Sequence, residues 1–342
     1  MIRHVLLAYG AEHEYQRAIF SIFSFWAWFK NREIEVQTLV FTDNPNAFNP
    51  CLVGLPVEYR QLNRDDLEAM YGPYRYIHRA KIAIVEQVFN EYPLDSLLFC
   101  DADTYFIADP TPLLRRLRPG NSLMHLREYR YTRAIPKWAT PEYAAQIQTG
   151  VDLIESRTYR VGGSTYQFSK HQYMYNSGVL GLTPEVARLL PDIYELTDTL
   201  HGNHRWIVSE QVAFSLALPT ATSLLCSNRY VFHYWNKVLK TSMDVLLKEL
   251  MNQDFINGSL SDQLTAVKRV TKKWPGKIVF QMAKNDVIQD FSSGSILDAI
   301  RSSLRVTRDV CYSPYKLAFA LNLLRSLRSH RRITVNTQIS SK

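Results

Sequence analysis

Strand-like and helix-like patterns alternate along the first part of the chain, and this order predicts an α/β fold. The expected core is a doubly wound, mixed but mostly parallel sheet flanked by helices, with right-handed crossovers. Two further observations agree. A short apolar run, Leu97-Leu98-Phe99-Cys100, stops abruptly at Asp101-Ala102-Asp103, as a buried parallel strand does where it meets its loop. Beyond Leu239 the pattern turns helical and polar, so a basic, mainly helical extension over 241–342 is expected to follow an α/β unit over 1–240.

Residues 4–8 read as the first strand, and Ile19, Ile22, Phe23, Trp26 and Phe29 then recur at the spacing of a buried helix face. Residues 36–42 form a second strand stopped by Asp43-Asn44-Pro45, and residues 57–62 a short third. After Gly72-Pro73, an amphipathic helix is expected over 77–89, with Ile77, Ala80, Ile84 and Val88 on its buried face. The aspartate-bearing strand follows. Residues 125–173 carry many charges and aromatics, among them Arg127, Arg130, Arg133 and Tyr173, without a clean period, which suits a binding loop or lid. A return strand is expected over 175–182, a helix over 206–218 with Glu210-Gln211 near its start, and a last strand over 230–235.

With 342 residues, 46% of them hydrophobic, the chain can bury a large core and falls outside the disordered class. The first ten residues hold too short an apolar stretch for a secretory leader. The longest mostly apolar run, 19–29, is well short of the about 20 residues that span a bilayer. Cys51, Cys100, Cys226 and Cys311 lie far apart with no C-x-x-C spacing, which argues against zinc and a disulfide framework and for a reduced, cytoplasmic protein. From Lys268 onward there are 15 Lys/Arg against 4 Asp/Glu, a net +11, whereas the chain before it carries a net −3. The basicity belongs to the end of the chain.

Residues i and i+2 of a strand point to the same side, so Asp101 and Asp103 can aim two carboxylates at one cation. Mg²⁺ and Mn²⁺ prefer such hard oxygen ligands and commonly bridge carboxylates to phosphates. Open α/β sheets bind ligands at the carboxyl ends of their strands, which is where this pair is expected. Neither G-x-G-x-x-G nor G-x-x-x-x-G-K-[ST] follows the first strand, which demotes nicotinamide dehydrogenases and P-loop enzymes. Nucleotide phosphates would then be neutralised by the metal together with Arg79 and Lys81. Ala8 and Tyr9 enter the expected donor site through their place at the end of the first strand.

Five signals occur in order: Ile77-His78-Arg79-Ala80-Lys81, Leu98-Phe99-Cys100-Asp101-Ala102-Asp103, Asn176-Ser177-Gly178-Val179, Glu210-Gln211, and His233 after an apolar strand. Together they resemble the GT-A fold nucleotide-sugar glycosyltransferases, and within them the retaining group that includes glycogenin and the bacterial lipopolysaccharide galactosyl- and glucosyltransferases. The resemblance implies Mn²⁺ or Mg²⁺ held by Asp101, Asp103 and His233. It implies donor contacts from Ala8, Tyr9, Arg79, Lys81, Asp101, Ala102 and Asp103, and catalytic roles for Asn176, Glu210 and Gln211. The implied reaction moves a hexose from a nucleotide-diphosphate sugar, UDP first, to a hydroxyl of a glycan or glycolipid, with retention. This chain departs from the family in two places. Tyr234-Trp235-Asn236-Lys237 stands where a lysine and Pro-Trp usually follow the metal histidine, and Glu210 stands where aspartate is more common.

In the tail, breaks are expected at Pro275-Gly276, Ser292-Ser293-Gly294 and Pro314. Residues 315–330 put Leu317, Ala320, Leu321 and Leu324 on one face and run into Arg325, Arg328, Arg331 and Arg332. Such a basic amphipathic helix suits an anionic membrane, so the expected location is cytoplasmic with peripheral contact on the cytoplasmic face of a membrane. No nucleic-acid reader motif is present, and no nucleic-acid partner is expected. Two other readings account for parts of the pattern. One is a catalytically degenerate transferase-like domain that binds a glycan or membrane surface. The other is a haloacid-dehalogenase-type phosphatase, whose motif wants Thr or Val where Tyr105 stands.

Overall fold

The computed structural model describes residues 1–292 apart from 32, 50, 137, 138 and 203. Its first part follows the expected alternation: β1 (Ile2–Leu7), α1 (Glu12–Trp28), β2 (Val36–Thr42), β3 (Val57–Gln61), α2 (Arg64–Tyr71), α3 (Ala80–Glu91), β4 (Ser96–Asp101) and β5 (Thr104–Phe106). A middle part holds α4 (Thr111–Leu114), β6 (Asn121–Met124), β7 (Arg127–Arg130), α5 (Pro141–Ser156), β8 (Tyr159–Val161), β9 (Ser164–Tyr166), β10 (Tyr173–Tyr175) and β11 (Val179–Leu182). Then come α6 (Leu190–His201), α7 (Ser209–Ala217), β12 (Ser223–Cys226), β13 (Val231–His233), α8 (Lys237–Leu250), α9 (Gln253–Asn257) and α10 (Leu260–Ser292).

Seven strands make the central sheet in the order β12-β6-β11-β4-β1-β2-β3. All share one direction except β11, which runs against both β4 and β6. The predicted mixed, mostly parallel sheet flanked by helices is therefore the observed one. Val5, Leu6, Leu39, Val40, Leu97 and Leu98 are fully buried because helices cover both faces, which is why the central strands read as unbroken apolar runs. One face packs on α3, α6 and α7 through Ile84, Val88, Ile193, Leu196 and Phe214. The other packs on α1, which buries 11 of its 17 residues because α8 and α10 lie against its far side.

Several expectations are corrected. Ile77 lies in a single 3₁₀ turn before α3 and is 53% exposed, so the buried face starts at Ala80. Residues 125–173 are more ordered than a loop: they contain α5 and two ribbons, β7–β10 and β8–β9. Thr140 caps α5 by accepting from the Tyr143 N–H, Pro141 opens it, and Ile147, Val151 and Ile154 are its buried stripe. The break expected at Pro275-Gly276 is absent, and α10 continues through Pro275. A mid-helix proline costs about 3 kcal/mol. Burial of Val267, Trp274 and Ile278 outweighs it at about 1.5–3 kcal/mol for each large apolar side chain. Trp274 stacks on Phe20 at 5.1 Å, and Trp28 donates to the Thr271 hydroxyl at 3.0 Å, so α10 is fastened to α1 in the turn that leads into Pro275.

Residue 241, where the extension was expected to begin, falls inside α8, whose buried stripe Leu239, Met243 and Leu247 shares the apolar layer of α1. Among the described residues no helix is long and apolar enough to cross a membrane. The expected basic helix over 315–330 lies outside the described residues, as does the break at Pro314.

Candidate metal and donor site

The site forms where strands from distant parts of the sequence end at one sheet edge. β4 finishes at Asp101, and Asp103 follows in the turn before β5, so the two carboxylates diverge from the straight strand that sequence spacing suggests. Because β11 is antiparallel to β4, its start lies at that same edge: Val179 pairs with Cys100, and the Asp101 N–H donates to the Gly178 carbonyl at 2.9 Å. β13 pairs with β5 and sets His233 opposite Thr104. One ligand atom each from Asp101, Asp103 and His233 then lies within 4.8 Å of the others.

Hydrogen bonding around His233 decides which ring nitrogen carries the proton. The Gly178 N–H donates to Asn176 Oδ1 at 3.0 Å, which identifies that atom as the amide oxygen. His233 Nδ1 lies 2.8 Å from the same oxygen and must donate to it. In the neutral ring the lone pair is then on Nε2, and Nε2 faces Asp103 Oδ1 at 3.1 Å. Two acceptors at that distance call for a positive charge between or beside them, either a proton or a metal ion. The donor set of two carboxylates and one oriented imidazole thus fits a divalent cation. Gly178 makes the arrangement sterically possible, since a Cβ there would collide with the His233 ring.

Two lysines meet the two aspartates in different surroundings. Lys81 Nζ is buried, 3.1 Å from Asp101, 3.0 Å from the Ser177 carbonyl and 3.4 Å from Glu210 Oε1. Burial works to lower its pKa, but Asp101 and Glu210 more than offset this and raise it. Glu210 is buried too, and its oxygens accept from Ser177 Oγ at 2.8 Å and from the Tyr76 hydroxyl at 2.8 Å. Burial would raise the Glu210 pKa, yet Lys81 and these hydroxyls hold it below its usual value. Lys240 lies 2.7 Å from Asp103 Oδ2 with its side chain 33% exposed. Asp103 is held well below the usual carboxylate range because His233 and Lys240 outweigh its burial.

Glu128, on β7, is the residue that sequence reading missed most completely. It accepts from Asn176 Nδ2 at 3.2 Å and from Gln211 Nε2 at 3.1 Å, while Gln211 Oε1 accepts from the Ser177 N–H. Burial raises its pKa despite both amides. Only the pairing of β7 with β10, Arg127 opposite Tyr175, brings it beside Asn176. No local pattern announces that pairing.

The structure brings together Asp101, Asp103, His233, Asn176, Glu210, Gln211 and Lys81. Ala102 is buried between the aspartates, and Ala8 and Tyr9 leave β1 beside them because Leu7 pairs with Asp101. Arg79 is not brought there: it pairs with Asp198 at 2.9 Å, donates to the Met70 carbonyl and lies 4.3 Å from the Tyr194 ring. Tyr15 is a buried residue whose hydroxyl donates to Asp43 at 2.7 Å. Lys237 is exposed at the start of α8, and the cation that reaches Asp103 is Lys240, one turn later. The signal for it was Asn236, which caps α8 by accepting from the Val238 N–H and so sets the register of the first turn.

No protein-family profile and no curated protein matches this sequence. Among solved structures, the chain is similar to the galactosyltransferase LgtC in complex with donor and acceptor sugar analogs. The identity is 14% over 78% of this chain and 95% of that one, with a TM-score of 0.44. It is also similar to the apo form of mouse xyloside xylosyltransferase 1, at 15% identity over 66% of this chain and 85% of that one, with a TM-score of 0.43. Likenesses this distant transfer no residue roles, and the chemistry of the site rests on its own side chains.

Proposed function

We propose that this protein is a metal-dependent glycosyltransferase that moves a hexose from a nucleotide-diphosphate sugar, a UDP-sugar first, to a hydroxyl of a glycan or glycolipid, with retention. The observation that carries this reading is the convergence of Asp101, Asp103 and the Nε2 lone pair of His233 at the carboxyl end of the sheet. These three residues would hold Mn²⁺ or Mg²⁺. When bound, that ion supplies Lewis-acid stabilisation of the charge that builds on a departing diphosphate.

The remaining roles belong to the protein. Lys240 has one carboxylate partner and partial exposure, so it has N–H donors left for a phosphate oxygen. Lys81 is fully engaged and holds the ends of β4, β11 and α7 in register, with Glu210 as its buried counter-ion. Ala8, Tyr9 and Ala102 line the donor edge, and Arg79 serves the same reading from a distance by tying α3 to α6 through Asp198. Asn176 and Gln211 present neutral amides held by Glu128, a polar to acidic surface suited to the positive charge that grows on the sugar as its bond to the diphosphate breaks. Preorganisation by these buried hydrogen bonds makes that stabilisation available without rearrangement. Peripheral contact with an anionic membrane belongs to the same reading and is supported by the net +11 of the chain from Lys268 onward.

The test is slow hydrolysis of UDP-, GDP-, CMP- and TDP-sugars with and without Mn²⁺, comparing the native chain with Asp103→Asn. One donor is expected to turn over only with metal, and the variant to lose on the order of a hundredfold. No binding and no turnover of any donor would favour the degenerate binding domain instead.

A further inference from the structure

Beside the site, on the same two strands, lies a group of cations that the transferase reading does not use. β7 carries Glu128 into the site, and its neighbours Arg127 and Arg130 place their guanidinium carbons 4.5 and 5.1 Å from the centre of the Tyr173 ring on β10. Arg133 follows in the next turn and joins them: the Tyr173 phenol is held below its ordinary pKa first by a hydrogen bond and charge from Arg130, then by Arg127 and Arg133. All three arginines are exposed, and among the described residues none has a carboxylate within ion-pair distance. The nearest acid in sequence, Glu128, is committed to Asn176 and Gln211.

Two guanidinium groups on one aromatic ring, with the charge of Arg133 close by, repel each other, and the ring offsets only part of that cost. Guanidinium groups with open forks are the usual partners of phosphate and carboxylate, which they bind with two parallel hydrogen bonds. The cluster also lies at a definite place. β10 leads from Tyr173, through an irregularity in its pairing with β7, to Asn176 three residues on, so the backbones of Tyr173 and Asn176 lie at most about 10 Å apart. That is the reach of one or two sugar units. The donor diphosphate has its own cations in Lys240 and in the ion that Asp101, Asp103 and His233 would hold.

We propose that Arg127, Arg130, Arg133 and Tyr173 form an acceptor subsite for an anionic group, a phosphate or a carboxylate, carried by the glycan close to the hydroxyl that receives the hexose. This rests on the transferase reading and adds the acceptor's charge to it. An acidic acceptor is selected by the surface around the reaction centre, and neutral glycans lack the group that the cluster holds.

The experiment is calorimetric titration of the full chain, with UDP and Mn²⁺ present, using methyl glucoside, methyl glucoside 6-phosphate and methyl glucuronide. At least one charged sugar is expected to bind tenfold or more tighter than the neutral one, with affinity that falls as salt rises. Which of the two binds identifies phosphate or carboxylate as the group. The Arg127→Gln/Arg130→Gln double variant is expected to lose at least tenfold for that sugar at an unchanged Tm, and Arg130→Lys to lose less because it keeps the charge. Charged sugars that bind no tighter than methyl glucoside, or whose binding survives in the folded double variant, would overturn the proposal. Metal-dependent hydrolysis of the donor by the native chain, measured without any acceptor, reports separately on the transferase reading.

Discussion

Lys81 with Asp101 and Lys240 with Asp103 are chemically the same pair, set about the same sheet edge, and they differ in which member is buried, the lysine in the first and the aspartate in the second. The Lys81 side chain is 7% exposed and touches a second carboxylate and a backbone carbonyl; that of Lys240 is 33% exposed and has a single carboxylate partner. A buried charge must be fully matched by its surroundings, so the first pair is committed to holding the site together. The second retains access to solvent and to hydrogen-bond acceptors that arrive with a ligand. One pair builds the site and the other can respond to what enters it.

The strongest way to break this contrast is Lys81→Met. It leaves Asp101 and Glu210 without their cation, and a loss of about 3–5 kcal/mol is expected, read as a drop in the urea midpoint. A loss below about 1 kcal/mol would place Lys81 with Lys240. Next in size is Gly178→Ala. The added methyl group displaces the His233 ring, and Mn²⁺ affinity, read from the metal-dependent rise in Tm, is expected to fall about 10–100-fold. If Mn²⁺ raises the Tm of native and variant equally, His233 is no ligand. Lys240→Met is expected to cost only about 1 kcal/mol of stability, because Lys240 is itself partly exposed and the buried Asp103 keeps His233 beside it, yet to weaken UDP binding by about tenfold. Unchanged UDP affinity would remove Lys240 from the donor site.

A pH series sharpens the comparison with the smallest effect. The pKa of Glu210 is lowered on folding, so its contribution to stability is fully present above its ordinary value of 4.5 and is lost as pH falls through the lower folded value. The stability difference between the native chain and Glu210→Gln should therefore stay level from pH 8 down to about pH 5 and shrink below it. A difference that is already shrinking near neutral pH would mean that the carboxylate is not held by Lys81 in the way described.

Much of the site was legible because its markers are local. Leu97 to Cys100 announce a buried strand and Asp101 its end; Asn176-Ser177-Gly178 and Glu210-Gln211 each mark the start of an element. The middle of the chain was harder to read. α5 carried a cap, an N1 proline and a spaced apolar stripe, but the surrounding arginines and tyrosines obscured that period. Arg79 and Lys81 looked alike as neighbours on one helix. They diverge because Arg79 lies in the 3₁₀ turn before α3, facing Asp198, while Lys81 enters the first turn of the helix proper, facing the sheet.

What the sequence by itself determined is the set of pieces: apolar runs long enough to be buried strands, the aspartate pair where one of them ends, and the residue types able to hold a hard cation. These follow from covalent spacing and from the free energy of burying adjacent side chains, which act over a few residues. Only the tertiary structure decided that β11 runs against its neighbours and brings Asn176 to Asp101, that Glu128 completes the amide pair, and that Lys240 rather than Lys237 reaches Asp103. Those outcomes depend on strand direction, register and helix rotation. They are fixed by contacts between segments dozens of residues apart, for which no local stretch of sequence carries the information.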